Sequence, residues 1–265
     1  MIRYKHYLAV VRKRKPNGYY QDVATIRKFW RIAVAKGEAK MNPFANFDFD
    51  KEETHRNWHP KDELLKLYEI LKMDKFSDEQ ISTIKASLAQ PKITPEERRH
   101  LDYFLKTNGI SAAVKSTLRH YLFSCFSGLR FGDKKSFSNE EIVNDRIQLR
   151  QGKTGKLVTI PFNDQARELL PFILAQPLQT NNNRVNTELQ VCMYVAKVNK
   201  HITFHCSRHT FAINCILVGI DIIAVRDWLG HKSVKTTEIY VKIAEEYRNE
   251  NMKKFDNFFT GKIAS

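Results

Sequence analysis

The sequence has little of what marks secreted, membrane or zinc-ribbon proteins. Its 265 residues include four cysteines, at positions 125, 192, 206 and 215, and none belongs to a CxxC pair. A zinc ribbon or a thioredoxin-type site is therefore not indicated. The cysteines lie in apolar or helical patterns, which is typical of reduced, buried thiols in a reducing compartment. The longest apolar run, 215–225, is interrupted by Gly219 and Asp221 and is shorter than the roughly 20 residues of a membrane span.

Acidic residues are also scarce. The chain carries 29 Asp and Glu against 44 Lys and Arg, a formal net charge of +15, while 42% of its residues are hydrophobic. The apolar content argues against overall disorder. The charge favours a polyanionic partner, most commonly nucleic acid. An anionic membrane surface is the competing partner, but no basic amphipathic helix dominates the chain.

The strongest positive charge lies at the start of the chain, where eleven Lys or Arg within residues 1–40 face only Asp22 and Glu38. The pattern predicts helices over 2–13 and 22–35, with Pro16-Asn17-Gly18 ending the first. Seven basic residues are candidate phosphate contacts: Arg12, Lys13, Arg14, Lys15, Arg27, Lys28 and Arg31. A solvated charged face is the alternative. We expect a helical DNA-binding domain over 1–45, a linker over 46–60 and a second domain over 61–265.

The second domain shows a mainly helical pattern with one hairpin. Periodicity predicts a buried helix over 114–128 and further helices from about 164 onward. Alternating apolar residues over 147–162 flank Gly152-Lys153-Thr154-Gly155, which predicts two antiparallel strands and a turn. Residues 73–112 are polar and irregular, and we interpret them as a surface insertion of short helices and loops.

Candidate site residues are concentrated after position 127. His205 and Arg208 are three residues apart on a predicted helix and should share a face, although a surface helix with scattered polar groups is equally compatible. His205 and His209 have metal-ligand spacing, but Cys206 occupies the position of the glutamate in an HExxH zinc motif, so zinc is not favoured. His231 lies at a helix junction, and Lys153 lies at the hairpin tip.

Each of these residues has an ordinary structural interpretation alone, and Tyr240 by itself is typical of packing. Taken together, they supply the chemistry of phosphoryl transfer. Guanidinium groups can neutralise phosphate oxygens, a tyrosine hydroxyl can be a covalent nucleophile, and histidine or lysine can move protons. No acidic cluster with metal-ligand spacing competes with this interpretation.

The order and spacing of these motifs resemble the tyrosine recombinase (phage integrase) family, of the type found in mobile elements. The matching stretches include His205-Cys206-Ser207-Arg208-His209-Thr210-Phe211-Ala212, Leu229-Gly230-His231-Lys232-Ser233 and Thr236-Thr237-Glu238-Ile239-Tyr240. Ser127-Gly128-Leu129-Arg130-Phe131-Gly132-Asp133 resembles the family's first arginine box. Lys153-Thr154-Gly155-Lys156 resembles its hairpin lysine segment.

The resemblance implies a role for each matching residue. Tyr240 would attack the scissile phosphate and form a 3′-phosphotyrosyl link. Arg130 and Arg208 would clamp the non-bridging oxygens, and His231 would hydrogen-bond the phosphate. Lys153 would protonate the leaving 5′-oxygen. His205 would be the general base or assist one, and Asp133 would hold the first arginine region.

The resemblance also implies a fold, partners and a location. The fold would be mainly α with a small antiparallel β-sheet or hairpin, the tyrosine recombinase catalytic fold, preceded by a short helical core-binding (SAM-like) domain that is incomplete here. The partner would be double-stranded DNA bound by a homotetramer, with no metal, other cofactor, membrane or small-molecule substrate. We expect a cytoplasmic, nucleoid-associated bacterial protein. A non-catalytic DNA-binding relative and a type IB topoisomerase-like enzyme are the alternatives.

Overall fold

The computed structural model describes residues 6–13, 15–43, 56–178 and 180–260, with the side chains at 9, 16 and 253–260 left outside the description. The chain divides into two compact units, Met1–His55 and Arg56–Ser265. The boundary between them falls within the segment 46–60, where we expect the linker.

The first unit contains a π-helical turn, Tyr7–Val11, and helix α1, Pro16–Ala35. The prediction that Pro16 ends a helix is wrong, because Pro16 begins one. Proline suits the first helical turn, where its fixed φ is helical and no N–H is needed. A small core of Leu8, Tyr19 and Val23 joins the two elements.

Among the described residues, the second unit contains ten further α-helices and a short 3-10 helix, Asn139–Glu141. Helices α2 to α5 are Lys61–Lys72, Asp78–Leu88, Pro95–Thr107 and Ala112–Ser127, and the short α6 is Phe131–Lys135. Helices α7 to α11 are Asp164–Ala175, Asn182–Val195, His205–Leu217, Ile222–Leu229 and Lys235–Thr260. Helix α5 packs against α2, α7, α8 and α9 and is the centre of the core. This confirms the buried helix predicted over 114–128.

Helices α3 and α4 belong to this core, so the surface insertion predicted over 73–112 is wrong. Ile84, Leu101 and Phe104 are fully buried, and both helices pack against α8. Each begins with a capping box, in which Ser77 or Thr94 accepts a hydrogen bond from the third helical residue. Polar residues dominate the outer faces of these helices, which hides the buried stripe in the sequence.

A three-stranded antiparallel sheet lies between α6 and α7. Its strands are β1 Ile142–Val143, β2 Arg146–Arg150 and β3 Leu157–Pro161, in the order β1-β2-β3. Ile147 pairs with Ile160 and Leu149 with Val158. These four side chains are buried, because alternate residues of each strand face the core. The predicted hairpin is confirmed, and β1 is an additional strand.

Lys134 is a buried cation one residue after Asp133. It is 1% exposed, with Nζ 5.6 Å from the ring centroid of Phe123 and 5.7 Å from that of Phe137. Burial lowers the pKa of Lys134 to about 7.

Across the described ranges, none of the helices combines the length and the apolar character that crossing a membrane requires.

Candidate active site

Arg208 is the most deeply buried of the predicted site residues. It lies in the second turn of α9, is 1% exposed, and donates from Nη1 to the Gly128 carbonyl oxygen at 2.9 Å. Its Nη2 donates to the carbonyl oxygen of Leu229. Two backbone carbonyls from distant segments therefore fix the plane of the guanidinium.

Gly128 makes the first of these contacts possible. It ends α5 with a φ of +69°, and a Cβ at this position would lie 2.6 Å from Cδ1 of Phe211. Both the left-handed backbone and the close approach to α9 therefore require glycine.

Arg130 follows two residues later, at the N-cap position of the short helix α6, and its side chain makes no capping hydrogen bond. Its Nη1 lies 3.7 Å from Oδ2 of Asp133, and both atoms are buried without a hydrogen bond. A buried guanidinium N–H without an acceptor favours an anion at this position. Burial lowers the pKa of Arg208, and the positive charge of Arg130 lowers it further. A bound anion would therefore relieve the repulsion between the two cations.

Lys153 lies exposed in the turn between β2 and β3. The turn is tied to the arginine box, because the Gly152 N–H donates to Oδ1 of Asp133 at 3.0 Å. Asp133 therefore contacts both Arg130 and the lysine turn.

His231 lies just after Gly230, the left-handed residue that ends α10. Its Nδ1 lies 2.9 Å from Oγ1 of Thr237, and its ring stacks on the ring of Tyr240 with an interplanar angle of 20°. Burial and then the cations Arg208 and Arg130 lower the pKa of His231 to about 4. The ring is therefore neutral at pH 7.

Tyr240 lies on α11 and is 2% exposed. Its hydroxyl contacts Nδ1 of His209 at 3.0 Å, which no sequence motif predicts. Burial raises the pKa of Tyr240, and Arg208 and then Arg56 oppose that rise. The phenol is therefore protonated at pH 7, while the positive charges of the nearby arginines stabilise its deprotonated form.

His205 does not contact the tyrosine directly. It is exposed at the start of α9, and its ring meets the ring of His209 edge-to-face, with centroids 4.6 Å apart. Partial desolvation lowers the pKa of His205, and the cations Arg208, Arg56, Arg130 and Lys153 lower it further. The structure thus brings His205 to the site, with His209 between it and Tyr240.

Arg56 is a site residue that motif matching misses. It lies within the expected linker, far along the chain from every motif, yet its guanidinium carbon is 5.7 Å from the ring centroid of Tyr240. The only sequence signal for Arg56 is a positive charge at the edge of a predicted helical domain. Many other residues of the chain share that property, so it does not single out Arg56.

The predicted DNA contacts of the first unit lie on its surface. Arg12, Lys13, Lys15, Lys28 and Arg31 are exposed, and Arg27 is partly buried. Arg14 lies outside the described residues. These assignments stay predictions.

In the part of the chain that the structure describes, no group of three or more His, Cys, Asp or Glu side chains could hold an ion. His209 faces Tyr240, and Cys206 faces Thr203.

The sequence is similar to those of known proteins. Residues 92–246 match the model of the phage integrase family. The chain is 25% identical to the tyrosine recombinase XerD of Rickettsia bellii over 84% of its own length and 72% of that protein. It is 28% identical to the tyrosine recombinase XerA of Thermococcus kodakarensis over 48% of its length, and it spans about half of that relative (51%).

The fold is shared with a solved structure. A lambda integrase fragment, crystallised as a dimer bound to a COC′ core site, matches with a TM-score of 0.55 and 18% identity, over 85% of this chain and 76% of the fragment. The predicted mainly α fold with a small antiparallel sheet and the predicted site-specific recombinase class are confirmed. The chain therefore belongs to the phage integrase family.

Proposed function

We propose that this chain cuts and rejoins double-stranded DNA at specific sites through a 3′-phosphotyrosyl intermediate on Tyr240. One observation carries the proposal. A buried tyrosine hydroxyl lies in the field of Arg56, Arg130 and Arg208, which come from segments distant in sequence. Packing alone does not explain three guanidinium groups around one phenol, because mutual repulsion and desolvation both oppose that arrangement.

The proposed reaction exchanges one phosphoester bond for another. The Tyr240 hydroxyl oxygen bonds to phosphorus while the bond from phosphorus to the 5′-oxygen breaks. Lys153 gives a proton to that oxygen and leaves a 5′-hydroxyl. Rejoining reverses these steps, so the phosphotyrosine retains the bond energy.

Two arginines act on the charge of the transition state. Arg130 and Arg208 donate to the non-bridging oxygens, and His231 adds a hydrogen bond from a ring that Thr237 orients. Arg208 is already fixed by Gly128 and Leu229, so little reorganisation accompanies the reaction.

The proton of Tyr240 goes first to His209, the group in contact with it. His205 assists from its position against the His209 ring. The incoming phosphate adds negative charge beside these rings and raises their proton affinity.

We further propose that the basic side chains of the first unit bind DNA phosphates without reading sequence. The active assembly is a homotetramer on DNA, and its location is the bacterial nucleoid. In this proposal residues 1–45 are the core-binding domain, 46–60 the linker and 61–265 the catalytic domain.

Covalent trapping tests the proposal. The protein is mixed with a library of nicked duplexes, denatured in detergent and probed for linked DNA, with Tyr240→Phe as the control. A band that requires Tyr240 supports the chemistry, and sequencing the linked DNA gives the site. Intact binding without a band would identify a non-catalytic relative, and a band with the phenylalanine variant would exclude Tyr240 as nucleophile.

A further inference from the structure

Gln151 is a buried polar residue at the base of the turn that carries Lys153. Its side chain is 1% exposed, and both of its polar atoms have partners. Nε2 donates to the Leu229 carbonyl oxygen at 3.1 Å, and Oε1 accepts from Oγ1 of Thr154 at 2.9 Å. One end of the amide therefore holds the turn, and the other end holds the segment before His231.

The main chain of Gln151 closes the same turn. Its N–H donates to the Lys156 carbonyl oxygen at 3.0 Å, and its own carbonyl oxygen accepts from the Gly155 N–H at 2.8 Å. A rotation of this residue would therefore move the whole turn.

The acceptor on Leu229 is shared. The carbonyl oxygen that receives Nε2 of Gln151 also receives Nη2 of Arg208. The lysine turn and the buried arginine thus meet at one oxygen atom, two residues before His231. Three parts of the proposed catalytic machinery are linked through it.

The contact between Gln151 and Gly230 is tight. A Cβ on Gly230 would clash with Oε1 of Gln151, and the φ of Gly230 is +64°. The turn is therefore fitted against the end of α10 with no space between them.

Lys153 needs such a support. Its side chain is exposed, and the structure shows no hydrogen bond or ion pair for it among the described residues. Its reach to a phosphate therefore depends on where the backbone of the turn is held. A second polar contact between the hairpin and α10 is the exposed pair of Lys156 and Asp227 at 3.3 Å, and exposed pairs of this kind contribute little.

We propose that Gln151 is a positioning residue that holds Lys153 at the leaving 5′-oxygen and keeps it in register with Arg208 and His231. This inference rests on the proposed recombinase function. It predicts a defect in the proton transfer to the leaving group, whereas a general loss of folding would slow every step.

A substrate with sulphur in place of the 5′-bridging oxygen separates these cases. The duplex found by covalent trapping is synthesised with this change at the scissile phosphate. When Tyr240 attacks, the phosphorus–sulphur bond breaks and a thiolate leaves. A thiol has a pKa of about 8.5, so this leaving group does not require the proton of Lys153.

The main variant is Gln151→Met, which keeps the length of the side chain and removes both hydrogen bonds. We expect cleavage of the normal duplex to fall about 10- to 100-fold, as for a misplaced catalytic group, and the sulphur duplex to be cleaved at nearly the wild-type rate. Lys153→Ala should show the same contrast. Thr154→Val removes the hydrogen bond to Oε1 of Gln151 and the one that Oγ1 accepts from the Lys156 N–H, both at a half-buried site. It should show a smaller contrast, and it replaces Gln151→Met as the test if that variant does not fold.

The matched control is Asp227→Asn, which removes the exposed ion pair between the same two segments and should change neither rate. An equal loss on both duplexes for folded Gln151→Met, or no loss on the normal duplex, overturns the inference alone. If Lys153→Ala is equally slow on both duplexes, Lys153 is not the general acid, and the inference that depends on it is overturned. Wild-type protein that forms no Tyr240-dependent link with either duplex overturns the proposed function and the inference with it.

Discussion

Nδ1 of His209 lies 3.0 Å from the hydroxyl oxygen of Tyr240, and both side chains are buried. Burial, followed by neighbouring charges that include His205 and Arg56, lowers the pKa of His209 to about 3. The ring is therefore neutral at pH 7, and in the tautomer that carries its proton on Nε2 the Nδ1 nitrogen accepts from the Tyr240 hydroxyl.

Replacing His209 tests whether this contact serves cleavage. We expect His209→Leu to reduce covalent complex formation about 100-fold, the lower range for loss of a positioned base. His209→Asn places an amide oxygen near the position of Nδ1. It should still orient the Tyr240 hydroxyl in part, but it cannot take up the proton of that hydroxyl. The rate of covalent trapping on a nicked duplex measures both variants.

His205→Ala is the comparison for that pair. Because His205 reaches Tyr240 only through His209, its loss should cost less than that of His209. A His209→Leu protein that cleaves at the wild-type rate would remove His209 from the mechanism, and a larger loss for His205→Ala would make His205 the base.

Arg208→Lys tests the value of the fixed guanidinium. Lysine keeps the charge but cannot donate in one plane to Gly128 and Leu229 while also facing a phosphate. We expect covalent complex formation to fall about 100- to 1,000-fold, as when one oxyanion donor is lost, with DNA binding reduced much less. Mobility shift and trapping measured on the same duplex separate the two effects, and equal losses in both would argue for a binding role.

Lys134→Met should stabilise the protein. Lys134 is buried over two phenylalanine rings, and its charge is costly to desolvate, so we expect the free energy of unfolding at pH 7 to rise by about 1 to 2 kcal/mol. The folded pKa, about 7, lies below the ordinary value of 10.5. The gain should therefore be largest below pH 7 and should shrink as the pH rises toward 10.5. Urea unfolding across this range measures the gain, and a less stable variant would show that the ammonium contributes favourably.

Stability should decrease on acidification because of buried neutral histidines. Burial, and then Lys134, lowers the pKa of His120 to about 4, and its Nε2 lies 2.8 Å from the Gln176 carbonyl oxygen. Between pH 6.5 and about 4 the unfolded chain binds the proton that the folded chain excludes. This part of the stability is therefore complete above pH 6.5 and is lost as the pH falls toward 4.

The variant His120→Gln keeps a hydrogen-bond donor near Nε2 and does not titrate. Its free energy of unfolding should depend on pH less steeply, by up to about 1.4 kcal/mol per pH unit within that window. His209 and His231 continue to titrate in this variant, so a shallower slope remains. An unchanged slope would mean that His120 is protonated in the folded protein.

The first unit is tested by the salt dependence of DNA binding. If Arg31 contacts a phosphate, Arg31→Ala should lower the affinity for unrelated duplexes to a similar extent and should reduce the slope of log K against log salt by about 0.9. Lys72, an exposed lysine paired with Glu69, provides the control Lys72→Ala. Identical slopes for wild type and Arg31→Ala would assign Arg31 to a solvated face.

Much of the fold could be predicted because apolar periodicity, turn residues and capping residues determine local structure whatever the tertiary packing. The hairpin around Lys153 followed from alternation and a glycine-rich turn, and Asp221 and Gly230 limit α10 as capping residues do in general. Pro16 was misassigned because proline both ends helices and begins them. The buried stripe of α3 and α4 was missed because it is narrow and surrounded by charge.

The sequence by itself determined the order and spacing of Arg130, Lys153, His205, Arg208, His231 and Tyr240, and with them the family. Only the tertiary structure decided which groups meet. Arg56, Gln151 and His209 join the site through contacts that cross as many as 184 positions of the chain, from Arg56 to Tyr240. No local pattern encodes such a contact, because it depends on how helices from distant segments pack around α5.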